Sequence, residues 1–318
     1  MGEKTKIAWC DSTMNPWIGC TKVSISAPDG DTSKGGACDN CYAEEMDRVR
    51  FSKTLGGATK TIPISHWGPG APRYRTKESK WNEVHKWNKR REIAMSAFAR
   101  GLGPKPAPHR VFCASLADVF DNEVPAKWRD DLWALIRATP YLDWLLVTKR
   151  IGNVSRFVPL AWMVDGFPDN VRLLISVSNQ FEADRDVTRL LALPCKNGIS
   201  YEPALGPVDW LIAMSGGCDK NGYRKPLLTD RKIDWIIIGG ESKQGPAEPR
   251  ELEIQWGIDT IAQCKTAGVP VFFKQAGSRP VWPTENGRGV GIALRARAGE
   301  DPSEWPEALG LNVREFPS

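Results

Sequence analysis

Short apolar runs recur along the chain, separated by stretches of helical pattern. Ile7-Ala8-Trp9 predicts a first short strand. Further strands are predicted at 111–114, 144–147, 171–177, 198–201, 233–238 and 269–273. Helical patterns cover 43–52, 80–100, 125–138, 181–192 and 251–267, and a short helix starts near Asn153. Gly101-Leu102-Gly103-Pro104 ends the second of these helices. Continuous apolar runs alternating with helices indicate a parallel sheet covered by helices. About seven strands favour an α/β fold built as a partial or closed parallel (β/α) barrel over a doubly wound sheet, although periodicity alone does not fix strand order. Residues 55–77 read as an irregular Gly- and Pro-rich connection, and two segments break the later rhythm: a loop-rich excursion at 205–232 and a Pro/Gly/Arg-rich tail at 277–318. The expected organisation is one barrel domain over 1–277, with insertions at 21–37 and 205–232, and a C-terminal extension over 278–318.

A length of 318 residues suits one large α/β domain, and a hydrophobic fraction of 41 % is ordinary for a globular chain. No apolar run is long enough for a membrane span, and Met1-Gly2-Glu3-Lys4 is not a signal peptide, so a cytoplasmic location is expected. The net charge is +5, from 43 basic and 38 acidic residues. Arg73-Tyr74-Arg75-Thr76-Lys77 and Lys86-Trp87-Asn88-Lys89-Arg90-Arg91 interleave basic and aromatic side chains. Such stretches bind phosphates and stack on bases. The alternative is a solvated helix face with its tryptophans turned to the core. Most of the 14 tryptophans are expected in the core or lining a cavity.

Eight cysteines in a chain this long do not make a disulfide framework. Cys113, Cys195 and Cys264 sit in apolar or helical surroundings and are expected as buried thiols; Cys218, in a glycine-rich loop, has no assignment. Cys20, Cys38 and Cys41 form a C-x17-C-x2-C pattern in one N-terminal loop. Three thiolates without an obvious fourth ligand suit a cluster or catalytic metal with an open position. A closed zinc site with Cys10 or His66 as fourth ligand, and ordinary reduced cysteines, remain as alternatives.

Chemistry in such barrels gathers where strands end. Here the strand ends carry Ser115 and Asp118, Lys149 and Arg150, Ser176 with Ser178 and Asn179, Glu202, then Gly239-Gly240-Glu241, and Lys274. Polar residues at every strand end predict a polar pocket ringed by the barrel. Each has a plainer reading. Asp118 is read first as a helix cap near the 121–125 turn. Glu202 and Glu241 can pair with basic residues, Lys274 can tie the last strand to a carboxylate, and Gly239-Gly240 can be a tight turn. Lys149 or Arg150 suits an anion or carboxylate. No Ser/His/Asp set and no Walker-type loop is present.

The stretch 15–24, followed by Cys38-Asp39-Asn40-Cys41-Tyr42-Ala43, resembles the three-cysteine signature of the phage Gp37/Gp68-like family (DUF5131). These proteins are distantly similar to radical S-adenosylmethionine (SAM) enzymes. The likeness continues through 111–118, 146–150, 175–178, 202–208, 238–242 and 269–275, in order. It implies a radical SAM-like barrel, a [4Fe-4S] cluster on Cys20, Cys38 and Cys41, and SAM on the fourth iron. An external electron donor would reduce the cluster, releasing a 5′-deoxyadenosyl radical that abstracts hydrogen from the substrate. By analogy, Ser178 or Asn179 would bind the ribose, and Lys149 or Arg150 the methionine carboxylate. Lys149, Glu202, Glu241 and Lys274 are the candidate catalytic residues; Ser115, Asp118, Arg150, Ser176, Ser178, Asn179, Gly239 and Gly240 are the candidate cofactor-binding ones. Two features depart from the pattern. Radical SAM enzymes carry C-x3-C-x2-C, and their Gly-Gly-Glu follows the second strand, where this chain has Ser115 or Asp118.

The resemblance implies an enzyme modifying or rearranging a nucleobase, a thymine derivative in phage DNA, in the host cytoplasm. A protein or small-metabolite substrate, in concert with a partner protein, is the second reading. A zinc- or cluster-bearing nucleic-acid-binding protein without enzymatic activity is the third.

Overall fold

The computed structural model describes residues 4–23, 36–214, 232–283 and 289–317. Seven strands form the main sheet: β1 Ser12–Met14, β2 Arg110–Cys113, β3 Asp143–Thr148, β4 Val171–Ser176, β5 Lys196–Tyr201, β6 Ile236–Gly239 and β7 Val271–Gln275. Their order in the sheet is their order in the chain. β1 pairs with β2, β2 with β3, β5 with β6 and β6 with β7, all parallel. A doubly wound sheet reverses its order at a switch point. This sheet does not, and it runs from β1 to β7 as a partial parallel (β/α) barrel does. The principal helices are α1 Tyr42–Val49, α2 Glu78–Ala99, α3 Ala126–Ala138, α4 Gln180–Leu191 and α5 Ile254–Ala267. Shorter helical turns, Ile151–Asn153, Val154–Phe157 and Leu160–Val164, follow β3.

The first strand corrects the prediction. Ile7-Ala8-Trp9 forms no strand; Trp9 is buried because its ring packs against Phe112, 4.7 Å away. The strand is Ser12–Met14, in which the buried Ser12 Oγ lies 2.9 Å from His109 Nε2.

Contacts divide the chain into two compact units. The first comprises Met1–Lys22, Ala43–Leu174 and Pro194–Lys196. Its core gathers Phe120, Leu132, Ile136, Leu142 and Trp144, all fully buried. α3 presents Leu132, Trp133, Leu135 and Ile136 inward, the stripe expected of a half-buried helix. Trp133, Trp162 and Phe167 continue this core as a row of rings with successive centroids 5.0 Å apart. α2 is different. It buries Trp81, Val84 and Trp87, and none of its residues beyond Trp87. The tryptophan of the second basic-aromatic stretch, Trp87, is therefore a core residue and not a stacking platform, while Tyr74 of the first is half-buried. Arg73 is buried as well.

The second unit comprises Val23–Tyr42, Ile175–Leu193 and Asn197–Ser318. α4 begins at a well-formed cap: Asn179 Oδ1 accepts from Glu182 N at 3.0 Å, and Glu182 Oε2 accepts from Ser178 N at 2.8 Å. The reciprocal pair resembles a capping box. Trp210 packs edge-on against Tyr201 and donates its Nε1 to Thr260 Oγ1 of α5 at 3.0 Å. The tail folds onto this unit. Pro280–Trp282 pairs with Leu252–Glu253 and with Val290–Gly291. Its last residues run along β7: Phe273 N donates to Val313 O, and Glu315 N to Val271 O. Cys113, Cys195 and Cys264 are buried, and Cys218 lies outside the described residues.

Candidate functional site

In the first unit, Cys20 follows the two-residue strand Trp17–Ile18, which pairs with Tyr74–Arg75. Gly19 carries the chain into the cysteine with φ +113°, and a Cβ there would meet the His66 carbonyl oxygen at 2.4 Å. Only glycine permits this passage. Two arginines then define the surroundings. Arg150, at the end of β3, donates Nη2 to the Thr21 carbonyl and lies 3.9 Å from Cys20 Sγ. The same guanidinium faces Asp118 at 3.9 Å and Asp121 at 3.7 Å. Arg73 pairs with Asp121 at 2.7 Å and donates to Thr21 Oγ1 at 2.7 Å. Its Nη1 also reaches the carbonyls of His66, Gly68 and Ala71. Sequence reasoning read Arg73 only as part of a basic stretch, and its long-range partners leave no periodic signal.

Asp118 is no helix cap. Its carboxylate accepts from Thr148 Oγ1 at 2.8 Å, Lys149 N at 3.1 Å and Phe120 N at 2.9 Å, joining the β2 and β3 ends. α3 starts after Pro125 with no side-chain cap. Burial raises the Asp118 carboxyl above its ordinary value, against the opposing pull of Arg150 and these hydrogen bonds. Burial likewise pushes the Cys20 thiol up to about 12; Asp118 and Asp121 add to the rise and Arg150 opposes it. Ser115 Oγ accepts from Asn15 Nδ2 at 2.9 Å. His66 is not placed as a ligand beside Cys20: its Nδ1 lies 2.7 Å from Asp47 Oδ1, both side chains buried. Cys10 is buried, with its thiol directed at the Ile7 carbonyl.

In the second unit, the loop carrying Cys38 and Cys41 is held by Glu241 and Arg250. Arg250 donates Nη2 to Glu241 Oε1 at 2.5 Å, Nε to Oε2 at 3.1 Å, and its backbone N to Oε2 at 2.8 Å. Its Nη1 donates to the Gly36 carbonyl at 2.8 Å. Asn40, between the two cysteines, donates Nδ2 to Glu241 Oε2 at 2.9 Å and to the Glu248 carbonyl at 3.1 Å. Burial works to raise the Glu241 carboxyl, but hydrogen bonds from Arg250 and Asn40, with the Arg250 charge, outweigh it and hold the group below its ordinary value. The candidate Glu241 is thus engaged in fixing a loop. Arg250 was missed in the sequence; Asn40, inside the C-x2-C pattern, was a signal available there.

A second pair spans the ends of β5 and β7. Lys274 Nζ lies 2.7 Å from Glu202 Oε1, and Ser200 Oγ donates to Glu202 Oε2 at 3.2 Å. Lys274 sits where the β7 register shifts between Phe273 and Gln275. Gly239 leaves room for the pair, since a Cβ there would lie 2.6 Å from Glu202 Oε1. Gln275 closes the next turn, donating to the Gly240 carbonyl at 2.8 Å and to Ser242 Oγ at 2.7 Å. Ser176 and Ser178 are buried, and the Ser178 hydroxyl has no hydrogen-bond partner among the described residues. Asn179 is the α4 cap described above.

Residues 4–298 match the family described as "Protein of unknown function (DUF5131)". The chain belongs to this family. No curated protein and no solved structure matches it. Within this DUF5131 member, the cysteines divide by exposure. Cys20, Cys38 and Cys41 are each partly open to solvent, whereas Cys10, Cys113, Cys195 and Cys264 are buried. Buried cysteine is the usual packing state of the residue, and among the described cysteines the three signature residues depart from it, although the Cys20 sulfur itself is largely desolvated. Thiolates are the donor type that iron–sulfur clusters take. Among the described residues, no group of three or more His, Cys, Asp or Glu side chains is gathered as a ligand set. No described helix is long and apolar enough to cross a membrane.

Proposed function

We propose that this chain is a cytoplasmic radical SAM enzyme in which Cys20, Cys38 and Cys41 hold a [4Fe-4S] cluster, with SAM as second cofactor. Its substrate on this reading is a nucleobase, a thymine derivative in DNA. The supporting observation is the exposure contrast: among the described cysteines, the three of the C-x17-C-x2-C pattern are partly open and the other four are buried. When bound, the cluster supplies the single electron that cleaves SAM. The chain supplies position and protons. Glu241 and Arg250 fix the loop that carries Cys38 and Cys41. Cys20 is a neutral thiol while its proton is present, and ligation to a metal must release that proton. The Arg150 guanidinium then faces the thiolate. The Glu202–Lys274 pair offers a base and an acid side by side at a strand end, suited to hold or move a proton at a substrate heteroatom.

The deciding experiment is on protein purified without oxygen. Iron, sulfide and zinc are quantified, then SAM is added with a reductant and 5′-deoxyadenosine is assayed. About four irons and four sulfides per chain, with SAM cleaved and both properties lost in Cys38→Ala, is the expected result. Stoichiometric zinc with intact SAM overturns the reading.

A further inference from the structure

We infer that the exposed stripe of α2 beyond Trp87, with the loop that follows, docks the phosphate backbone of a nucleic-acid substrate. This deepens the reading above by giving its substrate an entry surface. The stretch 86–105 carries six basic residues, Lys86, Lys89, Arg90, Arg91, Arg100 and Lys105, against one acidic residue, Glu92. The excess of five equals the net charge of the whole chain, so the remainder is balanced. All six except the half-buried Arg91 are exposed.

The geometry of the helix decides what it suits. Lys86, Lys89, Arg90 and Arg100 fall on one side of α2 at 100° per residue, roughly opposite the stripe of Trp81, Val84 and Trp87 that packs into the core. From Lys86 to Arg100 the stripe is about 21 Å long at 1.5 Å per residue. That length faces several phosphates, since duplex DNA carries one charge per about 1.7 Å. Lys89 meets Glu92 at 2.9 Å at the surface, an interaction readily exchanged for a phosphate. A membrane-surface helix separates an apolar face from its basic one. Here Ile93 and Ala97 lie within the basic stripe, and the opposite side of the first turns is buried in protein. With Trp87 buried, contact is through charge, so binding should be insensitive to base sequence.

The test titrates salt against binding of fluorescently labelled DNA oligomers to the full chain. The triple variant Lys86→Gln/Lys89→Gln/Arg90→Gln is compared with Lys60→Gln/Lys127→Gln/Lys265→Gln, which removes the same charge elsewhere. Four phosphate contacts predict that raising salt from about 50 to 200 mM weakens the unmodified chain and the control roughly 100-fold, but the stripe variant only about four-fold. Unchanged thermal unfolding of the stripe variant excludes misfolding as the cause. Equal losses in both triples, no salt-dependent binding, or binding to phosphatidylserine vesicles in place of DNA each overturns the inference. Repeating the titration with Cys38→Ala separates the two proposals. Docking that survives the loss of iron and SAM cleavage supports the surface independently, and absence of iron in the unmodified chain counts against the cofactor reading alone.

Discussion

Two arginines sit beside signature cysteines, and their carboxylate partners differ. Arg250 grips Glu241 through both guanidinium and backbone, and its remaining donor holds the Gly36 carbonyl. Glu241 stays ionised, below its ordinary value. Arg150 stands near Asp118 at 3.9 Å without a close fork, and Asp118 is raised by burial. One arrangement is a bidentate clamp that fixes backbone. The other ties a guanidinium to the Thr21 carbonyl and leaves its two aspartates and the sulfur at longer range. A tight pair uses its charge on itself, whereas a loose one leaves charge for a thiolate.

The comparison breaks most readily at Arg250. Arg250→Ala leaves Glu241 largely buried without its cation, and should lower stability by about 3 kcal/mol, read from the denaturant midpoint. Arg150→Ala should cost less, about 1–2 kcal/mol. Asp118 keeps three hydrogen bonds, and its raised carboxyl takes up a proton easily. If the two variants lose equal stability, the distinction between tight and loose pairs is wrong. In Arg150→Ala the Cys20 thiol loses the group that favours its thiolate, so its alkylation at alkaline pH, followed peptide by peptide in the mass spectrometer, should slow. Faster alkylation would mean that Arg150 acts mainly by shielding the sulfur.

Asn179→Ala provides a scale for both pairs. It removes an ordinary helix cap and should cost about 1 kcal/mol. Acid sharpens the contrast further. The folded carboxyl of Glu241 lies below its unfolded value, so its contribution is full above about pH 4.3 and is lost as pH falls through the folded value. The unmodified chain should therefore lose more stability on acidification than Glu241→Gln. Parallel unfolding curves for the two would remove Glu241 from the clamp.

Most of the sheet was legible because β2, β3, β4, β6 and β7 centre on apolar runs between helical patterns; β5, Lys196–Tyr201, is more polar and only its second half stood out. β1 was not, since Ser12 and Thr13 are buried polar residues, and the Ser12 hydroxyl is met by His109, nearly a hundred positions away. Helix starts moved by a few residues for α5, where Leu252–Glu253 pairs as a strand before the helix begins. At the strand ends, residue type was readable and partnership was not. Glu241 stood out as a charge after an apolar run, but nothing periodic links it to Arg250 or Asn40. Asp118 near a turn suggested a cap; its donors, Thr148 Oγ1 and Lys149 N, lie instead at the end of the next strand.

The tail lying along β7 bears on how the protein behaves in a crowded solution. β7 ends the main sheet, and Val271, Phe272 and Phe273 would offer a bare ladder of apolar backbone to any neighbouring chain. Val313 and Glu315 occupy that ladder, with Phe316 over Phe272 and Trp305 over Phe273. The extension thus works as a built-in guard against aggregation. A chain shortened to residue 277 should scatter light on concentration where the full chain stays clear.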